Sequence, residues 1–171
     1  MKSIKFNLLI KNYKKDIYNF SYYMVRNKMD AEDITQEVMI RIWQNIDNFK
    51  FTSAKVWIIK TTHNLCIDLL RKRKLLVNSQ VEINEEFEDN FKDINPANNP
   101  AYKMELNVLS EKIKEAIQRL PDNLRSIFVL YEINGLKYKE IADMLELPLN
   151  SVKVYLLRAR KRLQEDLKSY A

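Results

Sequence analysis

The stretch GLKYKEIADMLELPLNSVKVYLLRARKRL, Gly135 to Leu163, decides the fold. Tyr138, Ile141, Ala142 and Leu145 fall at helical spacing, and so do Val152, Tyr155 or Leu156, Ala159 and Leu163. Between the two patterns lies Glu146-Leu147-Pro148-Leu149, short enough only for a tight turn. Two short helices, a turn of about four residues and a small alanine at the crossing are the parts of a helix-turn-helix. Pro148 stops the first helix, and Asn150 or Ser151 is expected to cap the second. The outward face of the second helix carries Asn150, Ser151, Lys153, Val154, the edge of Tyr155, Leu157, Arg158 and Lys161. Polar groups near such an N-terminus can reach base edges, and the cations beyond can reach phosphates. A helical hairpin with a solvated basic face has the same spacing; turn length, caps and basic bias together favour DNA.

The rest of the chain is also helical in pattern. One glycine and four prolines in 171 residues argue against an all-β fold. Net charge is +6, and its placement says more than its total. Arg71-Lys72-Arg73-Lys74 and Arg158 to Arg162 are basic clusters. Between them, residues 76–100 set Glu82, Glu85, Glu86, Glu88, Asp89 and Asp93 against Lys92 alone. That segment is read as an acidic linker between residues 1–75 and residues 101–171, spanning roughly 80 Å if extended. Its charge could also mimic nucleic acid in a basic channel of a partner. The lone Cys66 fits a reducing cytoplasm, and no run reaches the ~18 apolar residues of a membrane span. His63 and Cys66 have no second ligand pair, and no phosphate loop or nucleophile constellation suggests catalysis or a cofactor.

Residues 6–26 place Leu9, Tyr13, Ile17, Phe20 and Met24 on one stripe. The next helix is expected from Asp30, as N-cap, to about Asn45, with Met29 stapled onto Ile34. Ile34, Val38 and Ile42 point inward, while Asp33, Gln36, Glu37 and Ile40 share an outer face. That face is either solvated or a protein-docking surface, and spacing alone favours the former. Asp47 to Ser53 reads as a loop in which Phe49 and Phe51 flank Lys50. It could stack an unpaired base, although one phenylalanine is expected to plug the core. From Ala54 to about Lys74, Ile58, Ile59, Thr62, Leu65, Cys66 and Leu69 face inward. Trp57, Lys60, Thr61, Asn64, Asp68 and Arg71 line a polar face suited to a strand leaving its duplex. Tyr102 to Arg119 repeats the pattern through Leu106, Leu109, Ile113, Ala116 or Ile117, and Leu120. A short helix with Leu124, Ile127, Phe128 and Tyr131 completes a four-helix unit.

In this order the blocks resemble the two-domain, extracytoplasmic-function sigma factors of bacterial RNA polymerase. DAEDITQEVMIRIW (Asp30 to Trp43) is similar to the family's polymerase-binding helix, and AKVWIIKTTHNLCIDLLRKRK (Ala54 to Lys74) to its −10 helix. LPDNLRSIFVLYEINGLKYKEIADMLELPLNSVKVYLLRARKRL is similar to its −35-binding domain. The resemblance implies an all-α protein of two small domains joined by the acidic linker. It would have no active site or cofactor of its own. Asp33, Gln36, Glu37 and Ile40 would then dock on core polymerase. Asn48, Phe49, Lys50 and Phe51 would capture a flipped −10 base. Lys60, Asn64, Asp68, Arg71 and Arg73 would hold the melting −10 strand. Asn150, Ser151, Lys153, Val154, Arg158 and Lys161 would read the −35 groove. Core RNA polymerase and promoter DNA are the implied partners, with an anti-sigma factor as a further one. The family often has glycine where Glu146 stands here; a left-handed glutamate costs on the order of 1 kcal/mol, so a different turn is expected. The alternatives are a stand-alone helix-turn-helix regulator, for which no dimer helix is visible, and a helical adaptor binding only protein.

Overall fold

The computed structural model describes residues 1–78 and 100–169, which form seven α-helices and no strand among the described residues. They are α1 (Lys2–Val25), α2 (Lys28–Asn45), α3 (Phe51–Asn78), α4 (Pro100–Arg119), α5 (Asp122–Phe128), α6 (Tyr138–Leu145) and α7 (Leu149–Lys168). The acidic linker falls almost wholly outside the described residues.

In the N-terminal half, α1, α2 and α3 pack side by side. Leu9, Ile17, Phe20, Met24, Val38, Ile42, Ile58 and Ile59 are wholly buried there, each worth roughly 1.5–3 kcal/mol of transfer free energy. Arg26 ends α1 in the left-handed conformation, with its N–H on the Tyr22 carbonyl. The cap of α2 is Asn27 and not Asp30: the Asn27 side chain accepts from the Asp30 backbone N–H at 3.0 Å. Asp30 is thereby freed to pair with Arg73 on α3. Met29 forms no staple and stands 73% exposed. The third helix starts at Phe51, so Thr52 and Ser53 lie inside it, and it runs on to Asn78 rather than ending near Lys74.

In the C-terminal half, α5 packs against α7, which α4 and α6 flank, and a following π-type turn (Val129–Ile133) lies against α5, α6 and α1. Leu106, Leu109 and Ile113, expected inward, are 48%, 51% and 37% exposed. Only the C-terminal end of α4 meets the core, through Ala116, Ile117 and Leu120. The turn between α6 and α7 keeps its ordinary form despite Glu146. That residue takes φ 55° and ψ 44°, and the Leu147 N–H closes on the Ala142 carbonyl at 3.0 Å. Helix α7 starts at Leu149 behind Pro148, so Asn150 and Ser151 are helical residues and not caps.

The two halves share one core. Arg125 on α5 is 3% exposed and donates to the Met24 carbonyl of α1 at 3.0 Å. Two carbonyls of its own half, Gln118 and Leu120, hold the other arm of its guanidinium. On α3, His63 Nε2 lies 3.1 Å from Ser126 Oγ. Burial pushes the His63 pKa below its ordinary 6.5, with the Asn64 side chain partly opposing. The unfolded chain therefore takes up a proton below pH 6.5 that the folded chain resists. Stability from this residue is complete above that pH and falls as pH drops through it. Thermal melts at pH 7.5 and 5.5 are expected to show the drop, at most about 1.4 kcal/mol per pH unit. His63→Gln should flatten the pH slope; an unchanged slope would assign the dependence to other groups.

Candidate nucleic-acid interface

Three exposed surfaces come from the packing just described. On α2, burial of Ala31, Ile34, Val38 and Ile42 turns Asp33, Gln36 and Ile40 to solvent. Glu37 is half-buried beside them and accepts from Arg41 Nε at 2.9 Å. Ile40 is 51% exposed. Trp43, one turn on, extends the patch and was missed as a site residue, although its i+3 spacing from Ile40 was visible. It stands edge-on to Phe6 at 5.2 Å and beneath Lys2 at 5.1 Å.

The second surface begins at a 3-10 turn, Ile46–Asn48, anchored by buried Ile46. Lys5 of α1 donates to the Ile46 and Phe49 carbonyls at 2.9 and 2.6 Å, and its ammonium sits 5.6 Å from the centre of the Phe51 ring. Nothing in the spacing pointed to Lys5, because the contact joins residues more than 40 positions apart. The two phenylalanines have separated: Phe49 packs on Trp57, centroids 4.5 Å apart, whereas Phe51 is 51% exposed. Asn48 and Lys50 are exposed beside it. Along α3, Lys60, Asn64, Asp68 and Arg71 are exposed on one face about 17 Å long. Asp68 faces Arg71 at 3.8 Å.

Arg73 does not join that face. It donates to the Val25 carbonyl at 2.7 Å and pairs with Asp30, closing the end of α3 onto the α1–α2 junction. Arg73→Ala is expected to cost about 2 kcal/mol, since charged hydrogen bonds of this kind contribute roughly 1.5–3. That is a fall in Tm of roughly 5 °C for a chain of this size. A selective loss of single-strand affinity at unchanged Tm would restore Arg73 to the DNA surface.

The third surface is α7. Val152, Leu156, Ala159 and Leu163 are buried, so Asn150, Lys153, Val154, Arg158 and Lys161 point outward, with Ser151 half-buried at the edge. Two cations lie on aromatic rings: Lys153 Nζ is 5.8 Å from the centre of Tyr138, and the Arg158 guanidinium 5.8 Å from Tyr155. Tyr138 itself stacks on Tyr131 at 4.7 Å with planes 4° apart. Tyr138 also lies outside the expected site, since its spacing marked it as core. Among the described residues no cluster of three or more His, Cys, Asp or Glu side chains could hold a metal, and no helix is long and apolar enough to cross a membrane. Cys66 is buried, which pushes its thiol up to about 12 and leaves it unreactive.

These surfaces fall inside two family blocks. Residues 9–75 match Sigma-70 region 2 and residues 110–163 match Sigma-70 region 4. The ECF RNA polymerase sigma factor SigW of Bacillus subtilis is 33% identical over 159 residues, covering 91% of this chain and 85% of SigW. SigM of the same organism is 30% identical over 152 residues, covering 89% and 88%. The fold matches the sigma factor RpoE of Bartonella quintana, solved with the anti-sigma factor NepR, at a TM-score of 0.73 and 24% identity over 95% of this chain and 96% of that one. The chain belongs to the extracytoplasmic-function sigma factors of RNA polymerase.

Proposed function

We propose that this sigma factor divides initiation among its three exposed surfaces. The α2 patch of Asp33, Gln36, Glu37 and Ile40, with Trp43, docks on core RNA polymerase. Phe51, with Asn48 and Lys50, captures an unpaired base, while Lys60, Asn64, Asp68 and Arg71 hold the −10 strand. Asn150, Ser151, Lys153, Val154, Arg158 and Lys161 read the −35 element. Residues 1–75 thus serve polymerase and the −10 region, residues 101–171 serve the −35 region, and residues 76–100 connect them. The protein makes and breaks no bonds: polymerase supplies the active site, and trapping of unpaired bases makes melting favourable. It works in the cytoplasm, and an anti-sigma factor is its natural antagonist, as the anti-sigma factor NepR is the partner of RpoE in the Bartonella complex.

The observation that carries this reading is the pair of sigma-70 blocks in this order, each presenting polar and cationic side chains to solvent. Transcription in vitro tests it. Core polymerase from the native host, this protein and host DNA fragments should give discrete start points sharing two upstream motifs. Tight duplex binding without redirected transcription would favour a stand-alone regulator instead. At the −35 surface, Lys153→Ala should weaken duplex binding across sequences and reduce the salt slope by about 1 if the ammonium meets a phosphate. A loss confined to one base position would make Lys153 a base reader.

A further inference from the structure

Helix α7 sets two apolar side chains on the line that stands furthest from the core. At 3.6 residues per turn, Asn150, Val154, Leu157 and Lys161 fall within about 60° of one another around the helix. That line lies opposite the buried one, Val152, Leu156, Ala159 and Leu163. Val154 is 43% exposed and Leu157 67%, and Asn150 and Lys161 are exposed at the two ends. The nearest cations stand off the line to either side. Lys153 lies 5.8 Å from the ring centre of Tyr138 on α6, and Arg158 lies 5.8 Å from that of Tyr155, a half-buried residue of α7. The outermost line is therefore polar at its ends, apolar in its middle and flanked by positive charge.

Folding does not account for the apolar middle. Val154 is β-branched, so it loses rotamer freedom in a helix, and facing water it buries little in return. Leu157 is the more exposed of the two. Docking on a duplex does account for it. The major groove is about 12 Å wide and admits a helix of about that diameter. A helix seated there turns its flanks to the phosphates and its outermost line to the base edges. Along that floor adenine, guanine and cytosine present hydrogen-bond donors and acceptors, whereas thymine adds a methyl group.

We infer that Val154 and Leu157 read the −35 element through the C5-methyl groups of thymines on neighbouring base pairs. This deepens the reading of α7 as the −35 helix and rests on it. The two residues are about 4.5 Å apart along the helix axis, between one and two base-pair steps of ~3.4 Å. Lys153 and Arg158, on the flanks, supply affinity that is blind to sequence. Val154 and Leu157 supply discrimination that no hydrogen bond carries.

Deoxyuridine isolates the methyl group, because it keeps every hydrogen-bonding atom of thymine and lacks only that carbon. A randomised duplex pool is first selected by the full-length protein alone and by the same protein bound to core polymerase. Each thymine of the selected site is then replaced in turn by deoxyuridine. Two of the replacements should weaken binding roughly fourfold each, the effect of one buried methyl. Val154→Ala and Leu157→Ala should each lower affinity for the thymine duplex and erase one of the two penalties. Both substitutions face water, so Tm should change little. Lys153→Ala should lower affinity and leave both penalties in place. Deoxyuridine tolerated at every position, or penalties that persist undiminished in either variant, would overturn the methyl contact. A pool from which neither form selects a site would overturn it together with the reading of α7 as a DNA-facing helix. Methyl dependence in the protein alone, with polymerase never redirected, would count against the sigma role and not against the contact. Discrete promoters whose −35 thymines all accept deoxyuridine would do the reverse.

Discussion

Ile40→Asp is expected to weaken binding to core RNA polymerase about 100-fold, roughly 3 kcal/mol, with no loss of −35 duplex affinity. The cause lies in the shape of the α2 patch. Ile40 is half exposed in the free protein, with Trp43 beside it and Asp33, Gln36 and Glu37 around it. An apolar centre inside a polar rim is the usual anatomy of a protein interface. Burying the rest of an isoleucine against a partner contributes roughly 1.5–3 kcal/mol, and a carboxylate there would also be desolvated without a counter-ion. The free protein should not notice: the substitution faces water, where changes usually stay within about 0.5 kcal/mol. Glu37→Lys should act in the same direction but less cleanly, because it also breaks the exposed Arg41 pair, worth about 0.5 kcal/mol or less. The measurement is competition with the wild-type protein for core polymerase, alongside Tm and duplex binding. Undiminished competition would return the α2 face to the status of a solvated surface.

That face shows how far the sequence could be read and why it stopped. The helices were legible because each buries one stripe, and a stripe is a local pattern; Ile34, Val38 and Ile42 are all buried as their spacing requires. The helix-turn-helix was legible for the same reason, and Ala142 and Ala159 are both buried within it. The failures share a cause. Asp30 has the chemistry of a cap, but Asn27 holds that place because the Arg26 turn delivers it there, and Asp30 is taken by an arginine 43 residues away. Arg73 looked like one more cation in a basic run because its partners are distant in sequence. Leu106, Leu109 and Ile113 keep helical period yet stand exposed. Periodicity names a face but not what lies opposite. Glu146 failed differently: the penalty for a left-handed glutamate is real but small, and the packing of α6 on α7 outweighs it. The union of the halves through Arg125, His63 and Ser126 left no trace in any local pattern.

The largest effect on melting is expected at Phe51. Phe49 and Phe51 were indistinguishable by sequence, but the fold assigns them different environments. Phe49 is packed edge-on against Trp57. Phe51 presents its ring to solvent with the Lys5 ammonium 5.6 Å from its centre. An exposed ring beside a cation can stack a base and hold its phosphate, at roughly 1–3 kcal/mol per base. Phe51→Ala should therefore lower affinity for a single-stranded −10 segment between fivefold and more than a hundredfold, about 1–3 kcal/mol. It should slow open-complex formation accordingly. Binding of a −35 duplex, about 100 residues along the chain, should be untouched. Asn64→Ala should give a smaller loss with the same selectivity, since it removes one exposed polar contact on the α3 face. Phe49→Ala is the informative contrast: it removes packing from Trp57, so it should lower Tm as well as melting. The distinction is read by comparing single-strand affinity, permanganate reactivity of unpaired thymines and Tm for the three variants. If Phe51→Ala and Phe49→Ala lower Tm and melting in the same proportion, the loop acts only as scaffold, and capture of the base must lie with the α3 face alone.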